Sequence, residues 1–167
     1  QTMILGGVLV AWAALHSLLA SAFVKQMAVR RLGAEAARAY RLVYNIIAIV
    51  SLAPVAWLLW RLPDRALYAI AAPWGQGMIA IQGLAALLAA VALIQTGVLE
   101  FAGLAQIFGR SGSGALLSTG FYALVRHPLY LFGLIFLWFS PRMSLNQLVV
   151  TVVFTTYLFV GALLEER

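Results

Sequence analysis

The sequence predicts an all-α, polytopic membrane protein of about five transmembrane helices, the last two forming a short hairpin. Three observations lead there. Of 167 residues, 64% are hydrophobic and only 10% charged, a balance too apolar for a soluble domain of this length. The apolar residues gather into runs of about 20, the length that crosses the hydrocarbon core of a bilayer. Most basic residues flank those runs, where they orient a membrane protein against an anionic leaflet. Residues 1–167 therefore read as a single integral membrane domain whose first partner is the lipid bilayer. The net charge of +6 has this use, so nucleic acid is not an expected partner. With no cysteine, disulfides, thiolate nucleophiles and cysteine-ligated metals are excluded.

The first run, Met3 to Val24, is interrupted only by His16, Ser17 and Ser21, and it ends where Lys25, Arg30 and Arg31 begin. It lacks a basic n-region and reads as a retained helix rather than a signal peptide. Leu42 to Leu62 is the second span, with Tyr44, Asn45 and Ser51 as polar content and Pro54 as a kink that neighbouring helices can tolerate. Gly75 and Gly77 precede a third, Met78 to Leu99, polar only at Gln82, Gln95 and Thr96. A mixed, glycine-rich stretch follows to Val125. Pro128 then opens a short apolar helix that Ser140-Pro141 stops, and a proline is well suited to a first helical turn. Leu145 to Leu164 is the last span, with Pro141 to Ser144 expected at the hairpin turn.

Orientation follows from the loops. Lys25, Arg30, Arg31, Arg38, Arg41, Arg110, Arg126 and Arg167 fall on one side, and Arg61, Arg65 and Arg142 on the other. The positive-inside rule makes the first side cytoplasmic, with the N-terminus outside and the C-terminus in the cytosol of, on this reading, a bacterial inner membrane. This arrangement puts Arg126-His127 and Glu165-Glu166 at one cytosolic edge. Ionisable groups at a membrane edge are costly enough that a functional use is the default expectation. Acidic residues at a helix C-terminus oppose the macrodipole, which argues for a partner, either Arg126 or a bound cation. The helix opened by Pro128 turns free backbone N–H groups toward the preceding loop, an arrangement suited to an anion.

Other features read as structural. His16 is a lone histidine, expected to be packed and hydrogen-bonded, on a helix whose Ser17, Ala20 and Ser21 allow close packing. Arg38, Arg41 and Asn45 form a polar stripe at the start of the second span; the arginines serve as anchors. Gly109-Arg110-Ser111-Gly112-Ser113-Gly114 follows no strand and lacks a P-loop lysine, so it reads as a cytosolic connector or lid rather than a nucleotide loop.

Gly120-Phe121-Tyr122, Arg126-His127-Pro128-Leu129-Tyr130 and Glu165-Glu166-Arg167 together resemble the membrane-embedded methyltransferases related to isoprenylcysteine carboxyl methyltransferase and phospholipid methyltransferases. His16-Ser17-Leu18-Leu19-Ala20, Glu100-Phe101-Ala102-Gly103-Leu104-Ala105-Gln106 and Pro141-Arg142-Met143 are most similar to the methanethiol S-methyltransferase (NnrU-like) branch. The resemblance implies S-adenosylmethionine as cofactor, held between the last two helices and their flanking loops, and a small lipophilic acceptor, with a thiol preferred. It places Gly120, Tyr122, Arg126, His127, Pro128, Tyr130, Glu165 and Glu166 around the cofactor, with Arg126 and His127 as the catalytic candidates and no metal. It also implies a cytosolic tail beyond the glutamate pair that this sequence does not include. The reading from a different class is a noncatalytic NnrU-like membrane protein, haem- or transport-associated, with His16 and His127 as ligands.

Overall fold

The computed structural model describes residues 1–109 and 119–165. Its architecture is helical and membrane-spanning, with four helical segments long and apolar enough to cross a bilayer and one shorter apolar helix among the described residues. The first span is α1 (Thr2–Ala20). It does not run on to Val24. Ser21 leaves helical geometry, accepts a hydrogen bond from the Val24 N–H through Oγ (3.4 Å), and so caps a separate amphipathic helix, α2 (Ala22–Leu32). The second span begins earlier than expected, as α3 (Ala34–Val50) continued by α4 (Ala53–Arg61). The break falls at Ser51-Leu52, and Pro54 sits in the first turn of α4, where its missing N–H costs nothing.

α5 (Trp74–Gln95) takes in Gly75 and Gly77 at its start and stops at Thr96-Gly97, four residues short of Leu99. Two short helices follow, α6 (Val98–Ala102) and α7 (Leu104–Ile107), then a 3-10 turn (Gly120–Ala123) and α8 (Pro128–Trp138). The last span is α9 (Leu145–Glu165). The connector over residues 110–114 lies outside the described residues.

Between α8 and α9 the chain does more than turn. Arg142–Ser144 forms a strand, β2, that pairs antiparallel with β1 (Ala66–Ala69) in the loop after α4. The hairpin residues are therefore tied to a distant segment by backbone hydrogen bonds, which a reading of local turn signals could not detect. α8 lies chiefly along α5 rather than along its sequence neighbour α9. Small Ala85 and Ala92, seven residues apart on one face of α5, are buried, and the Gln82 amide donates to the Phe136 carbonyl at 2.8 Å. Contact with α9 is held by the Trp138 indole N–H donating to Thr155 Oγ1 (2.9 Å).

The core is thin, as expected where lipid covers most apolar side chains. Leu5 and Leu9 of α1 and Val55 and Leu58 of α4 form its centre, packed by Val149, Val153 and Phe154 of α9. Trp60 and Trp74 stand exposed near the ends of α4 and α5, and Arg61 stacks over the Trp60 ring at 4.7 Å. Exposed tryptophans near the ends of apolar helices are characteristic of a membrane interface.

One end of the bundle is tied together by polar contacts. The Asn146 side chain, 1% exposed, receives a bond from Thr2 Oγ1 (3.2 Å) and donates to the Pro63 carbonyl (3.3 Å). Its backbone N–H donates to Asp64 Oδ1 at 3.0 Å, and the Leu145 N–H to the Arg65 carbonyl at 2.9 Å. Partial burial would raise the Asp64 pKa. Hydrogen bonds from the Ser144 hydroxyl and the Asn146 and Arg65 N–H groups outweigh it and hold the carboxyl below its ordinary value.

Candidate functional site

The opposite end gathers the chain's remaining chemistry. Gly103, at φ +89°, lets the α6–α7 corner settle on the backbone of Arg41 and Leu42, where any Cβ would overlap the Leu42 nitrogen. Asn45 secures the same corner by donating from Nδ2 to the carbonyls of Phe101 (2.9 Å) and Ala102 (3.0 Å). The sequence's unexplained asparagine is thus a clamp between α3 and α6. Tyr40 adds a second tie, its hydroxyl donating to the Leu19 carbonyl at 2.6 Å.

The 3-10 turn is fastened to the end of α5. Gln95 Oε1 accepts the Phe121 N–H at 3.2 Å, and Gly120, at φ +60°, admits the Gln95 amide into space that a Cβ would fill. This accounts for Gly120 through backbone packing. Tyr122 is half-buried in the same turn, and burial raises its phenol pKa. Phe121 meets Phe132 edge-on at 5.2 Å, so Phe132 is part of what docks the turn on α8. Gly133 beside it has open space, which shows that α8 makes no close helix approach at that glycine.

Pro128 is fully buried at the first turn of α8. It fixes where His127 and Tyr130 stand. Their rings stack at 5.1 Å with 10° between planes. Both line a cavity of about 350 Å³ between α8 and α9, together with Leu134, Thr155, Phe159 and Ala162. Arg126 is exposed beside them. Ala162 stands three residues before Glu165, the last residue of α9, whose backbone alone is described. Glu166 lies outside the described residues, so the expected meeting of Arg126-His127 with the glutamates concerns side chains that are not described.

A second cavity of about 410 Å³ adjoins the first, sharing Tyr130 and Leu158. It lies between α1, α3, α8 and α9, and its polar lining is His16, Ser17, Ser21, Tyr44, Tyr130 and Tyr157. His16 was expected to be a packed histidine. It is packed, but against a cavity: its Nε2 is hydrogen-bonded to the Tyr44 hydroxyl and its ring lies on Trp12 at 5.0 Å and 22°. The sequence names Tyr44 only as polar content of a span and gives no sign of Tyr157. The i, i+4 spacing of Trp12 and His16 was the one visible signal, since it puts both rings on one helix face. Among the described residues no group of three or more His, Asp or Glu side chains could hold a metal ion.

The comparisons with known proteins agree with the motif-based resemblance. Over 162 residues, 93% of its length, the chain is 29% identical to a methanethiol S-methyltransferase from a Pseudomonas species. It is similar in sequence to that branch of methyltransferases. It is also 46% identical over 46 residues to methanethiol S-methyltransferase 1 of Bradyrhizobium diazoefficiens, covering 28% of this chain and 16% of that protein. To the methanethiol S-methyltransferase of Pseudomonas deceptionensis it is 39% identical over 46 residues, 28% of this chain and 18% of that one. The chain spans 61% of the length of the Pseudomonas relative it matches throughout. No family model and no solved structure matches it.

Proposed function

We propose that the protein is an S-adenosylmethionine-dependent methyltransferase acting on a small lipophilic thiol at the cytosolic face of a bacterial inner membrane. The observation that carries this reading is the similarity to methanethiol S-methyltransferases along 93% of the chain. The residues present fit the cofactor. Its sulfonium is a cation, and the two adjoining cavities are lined by the rings of Tyr130, Tyr44 and Tyr157, whose electron-rich faces attract cations. Their volumes fall in the range of small-molecule sites.

When bound, S-adenosylmethionine supplies an electrophilic methyl group. His127 and Tyr130, locked by mutual stacking and by the buried Pro128, would form the wall of the cofactor pocket between α8 and α9. Arg126 at its edge would meet the carboxylate of the amino acid moiety, and Glu165 and Glu166 its ammonium or ribose hydroxyls. Gly120 and Tyr122 would hold the loop that borders the pocket. Methyl transfer is an in-line displacement, so the protein's part is to position two reactants and keep water away, which rigid helices lined by apolar residues do well.

Calorimetric titration of the purified chain in lipid nanodiscs with S-adenosylmethionine and S-adenosylhomocysteine tests the proposal. Saturable binding is expected, weakened at least about tenfold in His127→Ala. No binding by the folded chain would overturn it.

A further inference from the structure

We propose that a cavity at the Asn146 end of the bundle binds an anionic phospholipid whose headgroup ends in hydroxyls, with the Arg142 guanidinium on its phosphate; the inference is independent of the methyltransferase reading. The cavity, of about 570 Å³, opens at the end of the molecule opposite His127, where the loop after β1, the start of α5, the end of α8, β2 and the first turn of α9 converge. Gln76, Ser140, Arg142 and Gln147 are its polar lining, and Ile70 and Ile79 its largest apolar side chains. Its volume lies in the range of small-molecule sites.

Pro141-Arg142-Met143, the motif that the proposed cofactor site leaves unused, builds this cavity. Two of its three residues serve the fold: the Pro141 carbonyl accepts the Ile70 N–H at 2.8 Å, and Met143 is buried. The Arg142 backbone is held as firmly, its carbonyl accepting the Ser140 hydroxyl at 2.6 Å while the strand register sets it against Ala69. Its side chain is exposed, and among the described residues it has no acidic partner. Asp64, the one carboxylate at this end among the described residues, is engaged by the Arg65 and Asn146 N–H groups and the Ser144 hydroxyl. A guanidinium at a membrane edge, on a fixed backbone and without a counter-ion from the protein, is matched in charge and shape by a phosphate that accepts two of its N–H bonds.

The apolar lining makes the phosphate that of a lipid. Ile79 stands one helical turn beyond Gln76 along α5 and is exposed, so the cavity wall continues from its polar mouth toward the middle of the span. Charge at the mouth and hydrocarbon below it fit a phospholipid lying along α5, its phosphate level with Arg142 and an acyl chain on Ile79. The lining also selects the headgroup. Among the described residues lining the cavity there is no aspartate or glutamate, so a terminal ammonium would face a guanidinium with no carboxylate to meet it. Terminal hydroxyls find amides instead. Gln76 is exposed, and Gln147, which donates one N–H to Ser140 Oγ at 2.9 Å, keeps a second N–H and its carbonyl oxygen. The cavity therefore favours phosphatidylglycerol over phosphatidylethanolamine.

Native mass spectrometry of the detergent-purified chain, titrated with phosphatidylglycerol and phosphatidylethanolamine of the same acyl chains, tests this. The first phosphatidylglycerol should be held about tenfold more tightly than phosphatidylethanolamine, and Arg142→Gln should remove the preference. Arg61→Gln, which takes an exposed positive charge from the same end but outside the cavity, should keep it. Gln76→Leu should reduce the preference about threefold, and it carries the test if Arg142→Gln does not fold. In nanodiscs, phosphatidylglycerol should raise the melting temperature of the wild-type chain above its value in phosphatidylethanolamine, and do so less in Arg142→Gln. Glycerol phosphate in excess should not displace the bound lipid. Equal retention of the two lipids, a preference unchanged in Arg142→Gln or Gln76→Leu, or one lost equally in Arg61→Gln would overturn the proposal. Displacement by glycerol phosphate would overturn the lipid assignment in favour of a soluble phosphate.

Discussion

The two ends of this bundle are built by opposite means. At the end holding Thr2, Asp64 and Asn146, a two-stranded ribbon and a fully engaged asparagine tie the helices together beside a cavity of about 570 Å³ lined by Ile70, Gln76, Ser140, Arg142 and Gln147. At the other end, the backbone is bent by Gly103 and Gly120, the helices are clamped by Asn45, Tyr40 and Gln95, and two cavities lined by His16, His127 and tyrosines open between them. The difference teaches where each polar residue of an apolar chain is used. The first end uses its asparagine and aspartate in pairing, and the second arranges histidines and tyrosines around its cavities.

If that division is right, substitutions at the two ends separate stability from cofactor binding. The largest effect is expected from Gly103→Val, which requires a left-handed backbone from a β-branched residue and drives a side chain into the Arg41–Leu42 backbone. A loss of about 3 kcal/mol is expected, read as a lowered melting temperature, together with weakened S-adenosylmethionine binding because the corner anchoring α3 shifts. Asn146→Ala should cost about 1–3 kcal/mol by leaving the groups at Thr2 and Pro63 unpaired. Here calorimetry should find the cofactor affinity unchanged; a parallel loss of binding would erase the distinction between the ends.

The smallest effect is a pH dependence confined to the end holding Asp64. The Asp64 carboxyl is held below its ordinary value in the folded state, so its hydrogen bonds contribute fully at pH above the unfolded carboxylate value. That contribution is lost as pH falls through the unfolded value toward the folded one. Melting temperatures of wild type and Asp64→Asn should therefore differ at neutral pH and converge in acid. A constant difference across the range would show that the charge of Asp64 is irrelevant.

Much of the helical plan was legible because hydrophobic run length is a property of sequence alone. What misled was local. Ser21 marked the end of a span only through its hydrogen bond to Val24, and Gly75 and Gly77 were absorbed into α5 because a lipid-facing helix tolerates glycine. The pairing of Arg142–Ser144 with Ala66–Ala69 joins segments more than seventy residues apart and leaves no periodic trace. The same is true of α8 choosing α5 over α9.

For the site, the dense motif from Arg126 to Tyr130 could be recognised in one dimension, since its proline, histidine and tyrosine are neighbours in the chain. His16 and Tyr44 could not. They stand 28 residues apart and meet only because α1 and α3 pack at one end of the bundle. Sequence by itself determined that the chain enters a membrane and roughly where it crosses, because burial in lipid and local helix geometry depend on composition and spacing. Tertiary structure alone decided that a lone histidine borders a cavity and that the opposite end is tied by a two-stranded ribbon, because both depend on which segments meet.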